Sequence, residues 1–328
     1  FTVDELTLVS RSELLTPAAP AGETTDGNQT RPGSGNSHDH GNHDHGGGMD
    51  GMMPSISVVD VVMNEGTTGN VSSGALSTLG NQIVDESGQS VRLAGVNWFG
   101  FETTNFAPHG LWSRGYVEMM DQMKAEGFNT IRMPFSDELF DAGSTPNGID
   151  FGKNPDLQGL SGLEIMDRVV AQADELGMRV ILDHHRSEAG NSANESGLWY
   201  SAEYPESVWI DHLTQLATRY AKNSSVVGID LHNEPHGGAT WGDGSANDWR
   251  LAAERAGNAV LAANPNLLII VEGVETASSG SYWWGGNLSN AGDAPVRLDV
   301  ENRLVYSAHD YPASVYQQDY FNDPAYPN

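Results

Sequence analysis

The 328-residue sequence predicts an α/β fold, a (β/α)8 barrel with about six of its eight strands present, preceded by a linker. Three observations lead there. Short apolar runs alternate with helical patterns, which builds a parallel sheet with right-handed crossovers. The runs end in polar or aromatic residues, as they do where chemistry gathers at the C-terminal strand ends of a barrel. No Gly-rich dinucleotide fingerprint follows the first run, which argues against an open doubly wound sheet.

The runs lie at residues 91–99, 129–135, 178–184, 226–231, 267–271 and 304–308. Each is apolar or β-branched, as a strand covered on both faces requires. Between them, Leu163, Met166, Val169, Val170 and Ala173 share one helical face, and Trp249, Ala252, Ala256 and Val260 share another. The run ends carry Asn97 and Trp98, Arg132, Asp183 to His185, Asn233 and Glu234, Glu272, and His309 to Tyr311.

The fourth run is the most informative. Val226, Val227, Ile229 and Leu231 lead into Asn233-Glu234-Pro235. Pro235 cannot donate to a ladder and biases Glu234 toward an extended backbone, so a carboxylate is expected where the chain is stiff. A carboxyl so placed suits general acid catalysis if its pKa is tuned upward. The alternative is a turn with a solvated glutamate. Arg132, between Ile131 and Met133, must point at something polar, either a reacting group or a structural ion-pair partner. His184 and His232 read as buried histidines satisfied by backbone bonds.

The segments 95–103 (GVNWFGFET), 109–112 (HGLW), 129–132 (NTIR), 231–236 (LHNEPH), 283–287 (WWGGN) and 306–311 (YSAHDY) together resemble glycoside hydrolase family 5, most of all its bacterial endo-β-1,4-glucanase (cellulase) branch. The similarity covers roughly residues 80–328 and implies a barrel that cleaves β-1,4-glucan with retention of configuration. It implies Glu234 as general acid/base, Asn233 as the contact to the sugar 2-hydroxyl, and Arg132 as the brace of the nucleophile. His185, His309 and Tyr311 become polar residues around the cleavage point. Trp98, Trp112 and Trp284 become substrate-binding aromatics, because an indole covers the apolar face of a pyranose. Trp283 and Trp284 are adjacent, so at most one is a platform, and the resemblance favours Trp284. Where relatives place cysteines in active-site loops, this chain has Thr104 and Thr240, so loop rigidity must come from packing.

A retaining glycosidase needs two carboxylates about 5 to 5.5 Å apart. The resemblance places the nucleophile on a seventh strand, in a Gly-Glu-Phe-Gly-like motif that this sequence lacks. Glu272 falls by order on the fifth strand and is expected to be a cleft-wall or structural residue. The sequence therefore reads as an excerpt of a longer protein, inactive and poorly soluble alone because strand edges are left bare. Substrates within the same fold remain open to mannan or mixed-linkage glucan. A non-catalytic glycan-binding barrel is the reading from another class.

Three segments are expected: residues 1–10, whose start alternates like a strand and resembles the last strand of a β-sandwich carbohydrate-binding module, with a linker strand as the alternative; a Gly/Ser/His/Asp-rich tether at 11–75; and the catalytic domain at 76–328. Within the tether, His38, His40, His43 and His45 with Asp39 and Asp44 offer ligands to a divalent ion such as Cu²⁺, Ni²⁺ or Zn²⁺, against the reading of a hydrophilic linker. The barrel chemistry needs no metal and no cofactor.

Acidic residues number 44 against 16 basic, a net charge of −28 that argues against nucleic-acid or anionic-membrane partners. A neutral β-glucan is indifferent to that charge. There is no cysteine, hence no disulfide, and no apolar segment of membrane-spanning length. No secretion signal is visible. Extracellular location is inferred from the size of the substrate, and the chain reads as a monomeric part of a multidomain protein.

Overall fold

The computed structural model of the chain describes residues 7–10, 74–322 and 324. Nearly all of the expected tether, with His38, His40, His43 and His45, lies outside the described residues, as do residues 1–6.

In chain order the strands are β1 (Thr7–Ser10), β2 (Ser77–Leu79), β3 (Gln82–Val84), β4 (Gly95–Asn97), β5 (Thr130–Ser136), β6 (Arg179–Arg186), β7 (Val226–Asp230), β8 (Leu268–Glu272), β9 (Thr276–Ala277), β10 (Gly280–Ser281) and β11 (Leu304–Ala308). The helices are α1 (Tyr116–Ala125), α2 (Gly162–Glu175), α3 (Glu206–Arg219) and α4 (Trp249–Ala263). Strands β4, β5, β6, β7, β8 and β11 pair in that order, each parallel to the one before. An order that never reverses has no switch point, so this is the half-barrel of a (β/α)8 fold. The expected run at 91–99 yields only the three residues of β4, although the Trp98 backbone N–H still donates to the carbonyl of Arg132 and Phe101 bridges to Phe135 further on. Gly100 has φ 139° and no room for a Cβ against the carbonyl of Ala107.

One edge that the sequence leaves bare is paired: β1 runs antiparallel to β11, Thr7 opposite Ala308. A second small sheet, the hairpin β2–β3, supports the interior from below. Leu76 beside it packs with Ile181, Val227, Leu268, Ile270 and Val305.

Helices cover the outer face. A capping box of Ser161 and Glu164 starts α2, and Asp248 caps α4. Met166, Val169, Val170 and Ala173 are buried as the helical period predicts, with Ile165 taking the deep position expected of Leu163. Each of the larger ones, Ile165, Met166, Val169 and Val170, contributes about 1.5–3 kcal/mol by leaving water. Trp249, Ala252, Ala256 and Val260 likewise form the buried face of α4. Among the described residues no helix is long and apolar enough to cross a membrane.

Candidate active site

Period-two alternation along the strands builds the site. On β6 the inward positions read Ile181, Asp183, His185; on β8, Leu268, Ile270, Glu272; on β11 and just beyond it, Val305, Ser307, His309. Each ladder is apolar at its N-terminal end and polar or charged at its C-terminal end, so charge collects at one mouth of the half-barrel.

Arg132 lies at the centre, with only 5% of its surface exposed. Its Nη2 donates to Asp230 Oδ2 at 2.8 Å, Asn233 Oδ1 at 3.0 Å and Glu272 Oε1 at 3.1 Å. Its Nη1 lies 3.0 Å from Asp183 Oδ2 and 3.3 Å from Asn97 Oδ1. Burial opposes the guanidinium charge, but three carboxylates outweigh it. The same crowding separates the acids. Asp230 is raised well above the ordinary carboxylate range, by burial first and Glu272 second. Asp183 ends below its ordinary value, because Arg132 and His185 overcome the effect of burial. Asp230 is therefore the first of the two to take a proton.

Asn233 and Glu234 follow the end of β7. The backbone N–H of Asn233 donates to the carbonyl of His184 at 2.9 Å, and its side chain spans Arg132 and His185 Nε2, the latter at 3.4 Å. His185 in turn is held by Asp183 Oδ2 at 2.7 Å. Burial works against a proton on His185, yet Asp183 raises its pKa overall.

Glu234 departs from two expectations. Its backbone is not extended but left-handed, φ 52°, a conformation that costs a non-glycine residue about 1–2 kcal/mol. Its own polar groups hold it there against the bias of Pro235: its N–H donates to Glu272 Oε2 at 2.7 Å, and its carbonyl accepts from His236 Nδ1 at 2.6 Å. Nor is its pKa raised. Burial pushes it up, but the hydrogen bond and charge of His309 and the hydroxyl of Tyr311 bring it below the ordinary value. His309 Nδ1 lies 3.0 Å and Tyr311 Oη 2.7 Å from the same oxygen, Oε1. A second ionised carboxylate close by would push this pKa back up.

The structure thus brings Glu234, Asn233, Arg132, His185, His309 and Tyr311 together. The three tryptophans divide. Trp112 and Trp284 are 53% and 45% exposed, and Trp284 stands out from a turn while Trp283 turns inward to meet Tyr311. Trp98 is 2% exposed, with Nε1 donating to the carbonyl of His109. It is a core residue here and has no face to offer a sugar.

Sequence reasoning missed several participants. Asp183 and Asp230 bear on Arg132 directly; a charge inside an apolar strand run was the available signal. Glu102, buried and raised in pKa chiefly by that burial, accepts from the Gly100 N–H at 2.6 Å. His184 and His232 are not satisfied by backbone alone: His184 Nδ1 meets His232 Nδ1 at 3.0 Å, and its Nε2 meets Asp137 Oδ2 at 3.0 Å. Among the described residues no group of three or more His, Asp or Glu side chains is placed to hold a metal ion.

Fold and site together define a (β/α)8-type protein with carboxylates gathered at the C-terminal ends of its strands. The chain belongs to glycosyl hydrolase family 5: the family's cellulase model matches residues 84–327. It is 54% identical over 255 residues to an endoglucanase of Paenibacillus polymyxa, covering 76% of this chain and 64% of that one. It is 46% identical over 252 residues to the major extracellular endoglucanase of Xanthomonas campestris pv. campestris, covering 75% and 51%. The chain thus spans less than two thirds of the length of these relatives. In structure it is similar to an endocellulase of Pyrococcus horikoshii solved with cellotetraose, at TM-score 0.71 and 42% identity, covering 77% of this chain and 74% of that one.

Proposed function

We propose that the protein is an endo-β-1,4-glucanase in which Glu234 is the general acid/base. The observation that carries this reading is the anchoring of Glu234 through a single oxygen. His309 and Tyr311 both engage Oε1, so Oε2 is left for the glycosidic oxygen, on a side chain 14% exposed. Protonated Glu234 delivers its proton to the leaving oxygen as the C–O bond breaks, and the developing oxocarbenium ion is captured by a second carboxylate. Glu234, now ionised, takes a proton from the water that hydrolyses the glycosyl-enzyme, and the configuration is retained.

Glu272 is not that second carboxylate. It is fully buried, with Oε1 against Arg132 and His309 and Oε2 against the Glu234 amide. The family resemblance assigns the nucleophile to a seventh strand, and Arg132, charged at the centre of the mouth, is its natural brace. Asn233, fixed on both sides, is suited to the 2-hydroxyl. Trp112 and Trp284 offer exposed indole faces for glucosyl rings. A polymeric glucan cannot enter a cell, which supports an extracellular location; the Xanthomonas relative is itself a major extracellular endoglucanase.

The test is hydrolysis of carboxymethyl-cellulose and cellohexaose by the protein and by its Glu234→Gln variant. Loss of a general acid is expected to lower kcat about 10²- to 10⁴-fold with little change in KM. An unaltered rate in the variant, or turnover of mannan in preference to glucan, would overturn the proposal.

A further inference from the structure

Glu272 makes contacts that neither a nucleophile nor a mere ion-pair partner would need. It ends β8 with no surface exposed. The turn carrying Trp284 closes over it: Gly285 has φ 70°, and a Cβ there would strike Glu272 Oε2 and crowd Glu234. Substrate therefore cannot reach this carboxylate. Yet Oε2 accepts the backbone N–H of Glu234 at 2.7 Å, while Oε1 meets His309 Nε2 at 3.0 Å and Arg132 Nη2 at 3.1 Å. The other nitrogen of His309 meets Glu234 Oε1 at 3.0 Å. One imidazole thus ties the two carboxylates together.

We infer that Glu272 is a positioning residue for Glu234, acting in two ways at once: it fixes the left-handed backbone from which the Glu234 side chain springs, and it holds His309 against the Glu234 carboxylate. The inference rests on the reading of Glu234 as acid/base.

The chemistry of the bridge is asymmetric. For both His309 nitrogens to donate, the ring must be an imidazolium. The charged groups acting on it are Glu272 from β8 and Glu234 and Asp230 from β7 and its following loop; Arg132 from β5 shares Glu272 with it, and Tyr311 shares Glu234. Burial works to strip the proton. The Glu272 charge is the largest influence restoring it, and the outcome is a pKa well above that of free histidine. Without Glu272, His309 loses the largest of the influences that keep it charged, and the Glu234 amide loses the acceptor that stabilises φ 52°. The Glu234 carboxyl then swings on an unfixed backbone, at the atom where a misplacement of about 1 Å can cost 100-fold in rate.

The experiment compares the protein with Glu272→Gln, Glu272→Asp and Glu234→Gln, reading kcat and KM on cellohexaose across pH together with the His309 ring titration by NMR. Glu272→Gln is expected to lower kcat about 100-fold while KM moves by less than about threefold, and to bring the His309 pKa down. Glu272→Asp keeps the charge but shortens the reach by one methylene, so the His309 pKa stays high while kcat falls. It also carries the test where the Gln variant does not fold. If Glu234→Gln is inactive but either Glu272 variant turns over at the normal rate, the inference fails and the assignment of Glu234 stands. If Glu234→Gln remains active, the assignment itself fails and takes the inference with it.

Discussion

Trp284 lies flat on His236, with ring centroids 3.8 Å apart and planes within 6°. His236 is buried and its Nδ1 is committed to the carbonyl of Glu234, so the imidazole is a fixed shelf. The indole rests on it with one face and offers the other outward, 45% exposed. On the proposed function, a sugar stacked on Trp284 is mechanically coupled, through one ring, to the backbone of Glu234.

Removing the shelf should weaken the platform without deleting it. In a Glu234→Gln background, His236→Ala is expected to lower cellotetraose affinity by about 1 kcal/mol, roughly fivefold, the scale of one aromatic contact. Trp284→Ala should do so by more. Calorimetric titration reads both, and wild-type affinity in His236→Ala would show that the stack does not support binding.

Tyr311 supplies a second, electrostatic handle. Its hydroxyl donates to Glu234 Oε1 and so stabilises the ionised carboxylate, one of the causes that hold this pKa below its ordinary value. Tyr311→Phe removes that donation and raises the Glu234 pKa. Because the protonated form performs the first step, the alkaline limb of kcat/KM moves to higher pH even as kcat falls. A limb that stays in place or moves to lower pH contradicts the assignment.

The strands were readable because parallel strands buried on both faces are written as apolar runs, and the interruptions Asp183 and Asp230 mark the residues that face inward. The helical faces of Val169, Val170 and Ala256 followed from spacing alone. Glu234 was found by its place beside Pro235, but its left-handed φ was not, because that conformation is imposed by Glu272, 38 positions along the chain. Trp98 shows the converse: an aromatic at a strand end reads the same whether it faces a sugar or the core, and only the partner carbonyl of His109 decides. Asp137 carried no local signal at all, since its meaning lies in His184 and His212 from two other elements.

Asp137 offers a stability test. It is fully buried, with Oδ2 3.0 Å from His184 Nε2 and Oδ1 2.8 Å from His212 Nδ1. Burial raises its pKa, but the two histidines outweigh that and leave it below the ordinary value. A depressed folded-state pKa contributes stability that is fully present above the unfolded value, about 3.9, and is lost as pH falls through the folded one. Asp137→Asn is expected to lose about 3 kcal/mol at neutral pH. Thermal unfolding should show a gap to wild type at neutral pH that narrows as the buffer becomes acidic enough to protonate Asp137. A gap that widens toward acid would mean that the carboxylate is not the stabilising form.

At Arg132 stability and the proposed catalysis meet, and a conservative exchange separates them. The guanidinium reaches Asp183 with Nη1, and Asp230, Asn233 and Glu272 with Nη2, a spread of directions that a single ammonium cannot match. Arg132→Lys keeps the positive charge in the midst of three acids, so the burial cost of an uncompensated carboxylate is largely avoided. It abandons Asn233 or one of the acids, however, and Asn233 is then free to turn away from the position that suits the 2-hydroxyl. Arg132→Lys is therefore expected to fold with a loss of about 1–3 kcal/mol and to lose about 100-fold in kcat. Arg132→Met should lose far more stability, because Asp183, Asp230 and Glu272 would be left crowded without the guanidinium that they share. Unfolding midpoints and kcat for the two variants decide the matter: if Lys restores kcat to wild type, charge alone is what the site requires of Arg132, and the fork geometry is incidental.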